Sequence, residues 1–364
     1  MYVNEEELKL AYKEKAIEEF YDPVKKESVL RYGDDRMLFD SVSSIMKVVS
    51  VIETMPKVIF ESVSFKSGQL FLNKAEEVVI EEIFSINYSE LKNRMLLFKV
   101  NPHVRVFFEC YKDIEPFNPL VVDRSKLPEC FLRLNRFVAA VRERISSNAF
   151  KREISAHIRA ANKNYSGLLD YIDALFSRYS RLLVLRIDLS YGKGNLKIEE
   201  SSNSRDRLDV FNRVSEQIST HRTALINYLK NKCPDLGMVG YVWKLEYGRD
   251  KGHHYHMMFF LDGAKVRQDI VIAKRIGEHW NNVITEGKGV YFNCNGKKSS
   301  YKYCGVGMIN YSDEDKLDNL KRAAVYITKV DRYISACMPG DKRTFGKGNS
   351  PRTSNRAVGR PRMR

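Results

Sequence analysis

Residues 246–263 read EYGRDKGHHYHMMFFLDG. Three of the chain's seven histidines fall within four positions there, directly before five apolar residues. No other stretch limits the fold as strongly. Alternating, β-favouring residues in GMVGYVWKLEY (237–247) and HHYHMMFFLDG predict two strands, and the glycine-bounded loop GRDKG (248–252) predicts a hairpin. In that register Glu246 stands opposite His254, and Tyr247 opposite His253. Directly opposed residues share a sheet face, as do residues two apart on one strand. Glu246, His254 and His256 therefore converge, while His253 and Tyr255 point the other way. Met258 and Phe260 continue the first face, and Met257, Phe259 and Leu261 the second. Both faces are apolar, which marks a central strand rooted in a core. Two imidazoles and a carboxylate gathered there predict a divalent-cation site, provided the register does not slip by one residue. The competing reading is a hairpin end with scattered polar residues.

The segments around the hairpin extend the pattern. RLLVLRIDLSY (181–191) reads as a strand, 204–233 as a long helix, 264–285 as a second helix with Gly277 as its weak point, and GVYFNC and KYCGVGMI as short strands. The stretch 312–338 reads as a third helix, opened by Ser312 with Asp315 and closed by Pro339-Gly340. The order β-α-β-β-α-β plus a helix predicts an α+β, ferredoxin-like domain with a central antiparallel sheet. On the third helix, Arg322, Tyr326, Lys329 and Tyr333 follow one another at spacings of 4, 3 and 4 and share a face. Leu317, Leu320, Ala324, Ile327 and Ile334 form a separate apolar stripe suited to packing on the sheet.

Upstream the patterns carry no motif. Residues 4–20 predict an amphipathic helix, 36–115 mix helical runs with possible strands such as VRVFFECY (104–111), and 128–180 are helical. Residues 115–128 hold three of the ten prolines and suggest a boundary region. The expected division is a mixed, mostly helical domain over 1–150, the metal-site domain over 151–345 and a basic tail over 346–364.

Charge narrows the partner class. The net charge is +15, and residues 341–364 carry eight Lys/Arg against one acid, so a polyanion is the first candidate. The tail's Gly, Pro, Ser and Asn content predicts disorder. Its GRPR at 359–362 resembles an AT-hook core, which makes Arg356, Arg360 and Arg362 candidate DNA contacts, specific or as a non-specific basic arm. No apolar run approaches the roughly 18 residues of a membrane span. The six cysteines have no zinc spacing and read as reduced, mostly buried thiols in a cytoplasm. No GxxxxGK[ST] loop is present, which argues against a built-in helicase.

Taken together, HYHMMFF, AAVYITK and LLVLRIDLSY resemble the HUH endonucleases in their replication-initiator (Rep) arrangement, with an RRM-like domain and a C-terminal tyrosine helix. RLLVLRIDLSY, WKLEYGRDKGHHYH and AAVYITKVDRYI…RTFG are closer still to the YagK/YfjJ C-terminal, inovirus-type replication proteins of phages and prophages, over roughly 165–348. The resemblance implies His254 and His256 as metal ligands, Glu246 as the third ligand, and Tyr326 as the nucleophile. Lys329 would contact the phosphate or ease proton transfer, and Tyr333 would be a second nucleophile at a spacing wider than two-tyrosine initiators lead one to expect. Arg186 and Arg322 become DNA-contact candidates, and Asp188 has no role beyond DNA contact or support of the site. The implied activity is rolling-circle initiation. Single-stranded origin DNA is nicked through a 5′-phosphotyrosine adduct assisted by Mg²⁺ or Mn²⁺, then rejoined, with host helicase and polymerase as partners in a bacterial cytoplasm. Two alternatives share these residues: a metal-dependent nuclease that uses water, and a non-catalytic DNA-binding replication or regulatory factor.

Overall fold

The computed structural model describes residues 17–22, 27–32, 35–54, 60, 64–66, 69–95, 98–114, 118–192, 204–248, 252–301, 303–329, 334–336 and 343–351. For some of these, among them residues 17–39, Tyr326 and Lys329, only the backbone is described. Two compact units emerge. One comprises residues 1–161, 248–250 and 330–337, the other 162–247, 251–329 and 338–364.

The first unit opens with an antiparallel pair, β1 (Ile17–Asp22) and β2 (Glu27–Tyr32). Residues 17–20 were expected to be helical. They instead belong to β1, where the pairing with β2 overrides the local pattern. Then follow α1 (Asp35–Thr54), the short pair β3 (Ser64–Lys66) and β4 (Gln69–Phe71), α2 (Lys74–Ser85), α3 (Tyr88–Met95), β5 (Phe98–Val100), α4 (Pro102–Ile114) and α5 (Leu127–Ser146). VRVFFECY lies inside α4, not in a strand. Asn101 begins that helix by accepting a hydrogen bond from the His103 backbone N–H at 2.9 Å, and Pro102 sits at the first helical position, where its missing N–H costs nothing. Ile45 and Ile52 of α1, Ile80 and Ile83 of α2, Phe107 of α4 and Leu134 and Phe137 of α5 are buried. The rings of Phe107 and Phe137 meet edge to face at 5.0 Å.

The second unit begins within α6 (Asn148–Arg178), one helix where two were expected. It continues through β6 (Arg181–Tyr191), α7 (Ser204–Asn231), β7 (Met238–Gly248), β8 (Gly252–Asp262), α8 (Asp269–His279), β9 (Gly289–Asn293), β10 (Gly307–Asn310) and α9 (Glu314–Lys329). The chain is therefore α+β, with an open six-stranded antiparallel sheet ordered β10-β6-β8-β7-β12, β12 being Phe345–Lys347. β9 also pairs with β6. β9 takes positions 187–191 of β6 and β10 takes 181–184, which leaves a gap between them. Asn295 fills it: its Oδ1 accepts from the Arg186 N–H at 2.8 Å and its Nδ2 donates to the Val184 carbonyl at 3.0 Å, as a strand neighbour would.

Alternation along the strands produces two cores, one on each face. Leu183, Leu185, Ile187, Tyr255, Met257, Phe259 and Leu261 pack with Ile218 and Leu225 of α7 and Ile272 and Ile276 of α8. Leu182, Val184, Met258 and Phe260 pack with Tyr171 and Leu175 of α6 and Leu320, Ala324 and Ile327 of α9. β8 is the buried central strand its two apolar faces predicted. Gly277 proves to be a packing position: a Cβ there would lie 2.2 Å from the ring of Tyr291.

The third helix departs from expectation at both ends. Asp313, not Ser312, caps it, with Oδ1 accepting from the Lys316 N–H at 3.2 Å. It ends at Lys329 and does not extend to 338. Ile334 belongs to a strand, β11 (Ile334–Ala336), which pairs antiparallel with β5 of the first unit. Tyr333, the tail arginines Arg356, Arg360 and Arg362, and the start of the expected helix 4–20 lie outside the described residues. Among the described residues no helix is long and apolar enough to cross a membrane. The five described cysteines are free, and four of them are buried.

Candidate metal centre

β7 and β8 are hydrogen-bonded neighbours, and three residues separate Gly248 from Gly252. Gly252 has φ +61°, a left-handed conformation open to glycine without strain, so β8 can start immediately after the turn. From this base Glu246, His254 and His256 project onto one face, each less than a tenth exposed. One donor atom from each lies within 4.8 Å of the others. Glu246 Oε2 stands 3.1 Å from His256 Nε2 and 3.6 Å from His254 Nε2. These separations are short enough for one cation to bridge all three, because ligand distances near 2.0–2.2 Å put neighbouring ligand atoms about 3 Å apart.

The ring orientations support the same reading. His254 Nδ1 faces the Gly252 carbonyl at 3.1 Å, so it is the donor and Nε2 is left to turn toward Glu246. His256 Nδ1 lies 2.7 Å from Asp188 Oδ1, with Asp188 directly opposite on β6. A carboxylate behind a ligating histidine fixes the ring and raises its basicity. The sequence had given Asp188 no definite role, because its partner lies 68 positions away and the link exists only through strand register. Burial alone would depress His256. The Asp188 and Glu246 carboxylates on its two ring nitrogens instead hold it above the ordinary imidazole value. A cation bound to Nε2 would occupy the place of that second proton.

Other groups surround this core. Arg186 Nε approaches Asp188 Oδ1 at 3.8 Å. Cys294 is buried beside Asp188 and Arg186, and burial pushes its thiol up to about 12; burial likewise raises Tyr301, its neighbour. Lys244 lies two residues before Glu246, which puts it on the same face of β7. It is 1% exposed, and its Nζ donates to Thr344 Oγ1 at 3.3 Å, just ahead of β12. Sequence reasoning missed Lys244. A lysine inside an apolar alternation (VWKLE) was the available signal. The Arg322 guanidinium lies over the Tyr303 ring at 4.6 Å. Tyr326 and Lys329 belong to the last turn of α9, and their side chains lie outside the described residues.

The third histidine belongs to the opposite core. His253 Nε2 is 2.7 Å from Ser215 Oγ of α7, and its ring packs against Phe211 and Tyr247. Burial, with a smaller contribution from His254, pushes it down to about 3, so it is a neutral packing residue at any ordinary pH.

Comparison with known families gives a match to the YagK/YfjJ C-terminal domain over residues 146–348. The chain belongs to that family. The YagK/YfjJ domain covers more than half of the sequence and takes in β6 through β12, with Asp188, Glu246, His254, His256 and the whole of α9. No curated protein and no solved structure matches the chain.

Proposed function

We propose that this YagK/YfjJ-domain protein is a metal-assisted, tyrosine-dependent endonuclease and strand transferase acting on single-stranded DNA, in the manner of the HUH replication initiators. The observation that carries the reading is the buried convergence of Glu246, His254 and His256, with Asp188 behind His256. Two features support it. The strand order β9-β6-β8-β7 is that of the split βαβ arrangement, which favours a ferredoxin-like, RRM-like assignment. The helix bearing Tyr326 packs Leu320, Ala324 and Ile327 on the face that also carries the triad.

Two imidazoles and one carboxylate suit manganese better than magnesium, and either ion would supply a Lewis acid for a phosphoryl oxygen. Glu246, His254 and His256 would hold the ion, and Asp188 would keep the His256 ring turned toward it. The Tyr326 hydroxyl oxygen forms the new bond to phosphorus, the bond to the 3′-oxygen breaks, and that oxygen leaves as a hydroxyl after gaining a proton. The resulting 5′-phosphotyrosine keeps the energy of the diester, so a 3′-hydroxyl can reverse the step and rejoin the strand. Such a protein would work in a bacterial cytoplasm with host helicase and polymerase.

The test is incubation of labelled single-stranded DNA with the protein and Mn²⁺. A covalent protein–DNA band is expected for the wild type. It should be lost in Tyr326→Phe, His254→Ala and His256→Ala, while Tyr333→Phe should still form it. Free 5′-phosphate ends without an adduct would instead show a nuclease that uses water, and binding without cutting would show a non-catalytic DNA-binding factor.

A further inference from the structure

On the face that carries the triad, α6 and α9 pack at one end, over Leu182, Val184, Met258 and Phe260. At the other end the face leads to β9, whose residues alternate in their environment. Tyr291 turns toward α8, where it meets Gly277, and belongs to the far core. Val290 and Phe292 turn the other way and remain 45% and 36% exposed. Register fixes what they adjoin: Phe292 is directly opposite Asp188, Asp188 directly opposite His256, and Val290 directly opposite Ser190. Opposed residues share a face, so Phe292, Asp188 and His256 form one row across the sheet. Two strand spacings of about 4.8 Å separate the ends of that row, roughly 10 Å. Beyond β9 no further strand pairs among the described residues.

An exposed aromatic ring in the same row as the buried polar centre is placed to meet whatever that centre holds. The chain around it is selective. Residues 287–303 contain four lysines (288, 297, 298, 302) and no acid, and of their four aromatic residues Phe292 and Tyr303 are exposed, whereas Tyr291 packs on the far core and Tyr301 is half-buried beside Cys294. Lys298 is committed to Asp269 at 2.6 Å. Interleaved cations and rings are the composition of single-strand nucleic-acid surfaces, where lysines track phosphates and rings stack bases. A duplex does not offer a base face for stacking, whereas a single strand does. A row of about 10 Å spans about three stacked nucleotides at 3.4 Å each.

We propose that Phe292, flanked by Val290, is a stacking platform for a nucleobase of single-stranded DNA, within about three nucleotides of the phosphate held at the triad. The proposal rests on the nuclease reading for its choice of strand, but it concerns binding and can be measured without metal.

The experiment uses full-length protein in EDTA with a fluorescein-labelled oligothymidylate. Phe292→Ala should weaken binding roughly tenfold, the loss expected of one stacked base, while Phe292→Tyr should stay within about twofold of wild type. Phe292→Leu keeps bulk but not stacking and should behave like the alanine variant. In Phe292→Trp the new indole is reported against two buried tryptophans, Trp243 and Trp280, so its emission should be quenched as the oligonucleotide binds. Wild-type affinity in Phe292→Ala, or unquenched indole emission in a Phe292→Trp protein that binds normally, overturns the platform. Loss of self-association in Phe292→Ala with unchanged DNA affinity also overturns it, in favour of a protein interface. Cleavage in Mn²⁺ keeps the two ideas apart. A wild type that never cuts but shows the stacking series defeats the nuclease reading alone. A cutting protein indifferent to Phe292 defeats the platform alone.

Discussion

At the scale of single residues, His256 is held between two carboxylates, and the one without a place in the ligand set is the more informative. Asp188 meets Nδ1 at 2.7 Å and leaves Nε2 as the atom presented to a cation. Asp188→Asn keeps an oxygen that can accept from Nδ1–H but removes the charge. Affinity for Mn²⁺, measured by isothermal titration calorimetry, should fall about 10- to 100-fold. The asparagine should also leave the unfolding midpoint nearer to wild type than Asp188→Ala does. Unchanged Mn²⁺ affinity would reduce Asp188 to a packing neighbour. The convergence of Glu246, His254 and His256 was legible in the sequence, because a period of two and a glycine-bounded turn suffice to bring them together. Asp188 and Lys244 were not, since their partners, His256 and Thr344, are reached only through pairings between distant strands.

At the scale of elements, β6 holds two short strands on one edge with a side chain between them. Replacing Asn295 by leucine would strand the Arg186 N–H and the Val184 carbonyl, both in the sheet interior. A buried polar group left without a partner costs about 1–3 kcal/mol. Urea denaturation of Asn295→Leu should therefore show a loss of roughly 2 kcal/mol or more, and wild-type stability would mean that water or a shifted strand heals the gap. The elements read correctly from sequence were those with one dominant period: β6, α7, β7, β8 and the apolar stripe Leu320, Ala324, Ile327. Those read wrongly carried two signals at once. VRVFFECY is rich in β-branched and aromatic residues, which favour strands, yet it follows an Asn-Pro helix start. The end of the tyrosine helix continues a helical stripe through Ile334, yet Ile334–Ala336 is claimed by β5, a strand far upstream that no local pattern reveals.

At the scale of the whole molecule, nearly half of the net charge, +7 of +15, lies in residues 341–364, after every residue proposed for the chemistry. Ending the protein after Gly348 removes five arginines and keeps β12 in the sheet. Duplex binding should weaken, and the slope of log affinity against log salt should become shallower by up to about 4 units if all five neutralise phosphates. Cutting of a pre-melted single strand should persist, because Glu246, His254, His256 and Tyr326 all remain. An unaltered salt slope would show that the tail is no DNA arm.

The excursion of the chain through β11 bears on how such proteins can be inherited. The family domain begins at residue 146, yet Ile334–Ala336, inside it, pairs with Phe98–Val100, outside it. A recombination event that exchanged everything before residue 146 for an unrelated leader would keep every residue proposed for the chemistry. It would also remove the partner of the strand that follows the tyrosine helix. Viable chimaeras should therefore be those whose incoming leader brings its own edge for residues 334–336, so that two segments far apart in the gene are passed on together.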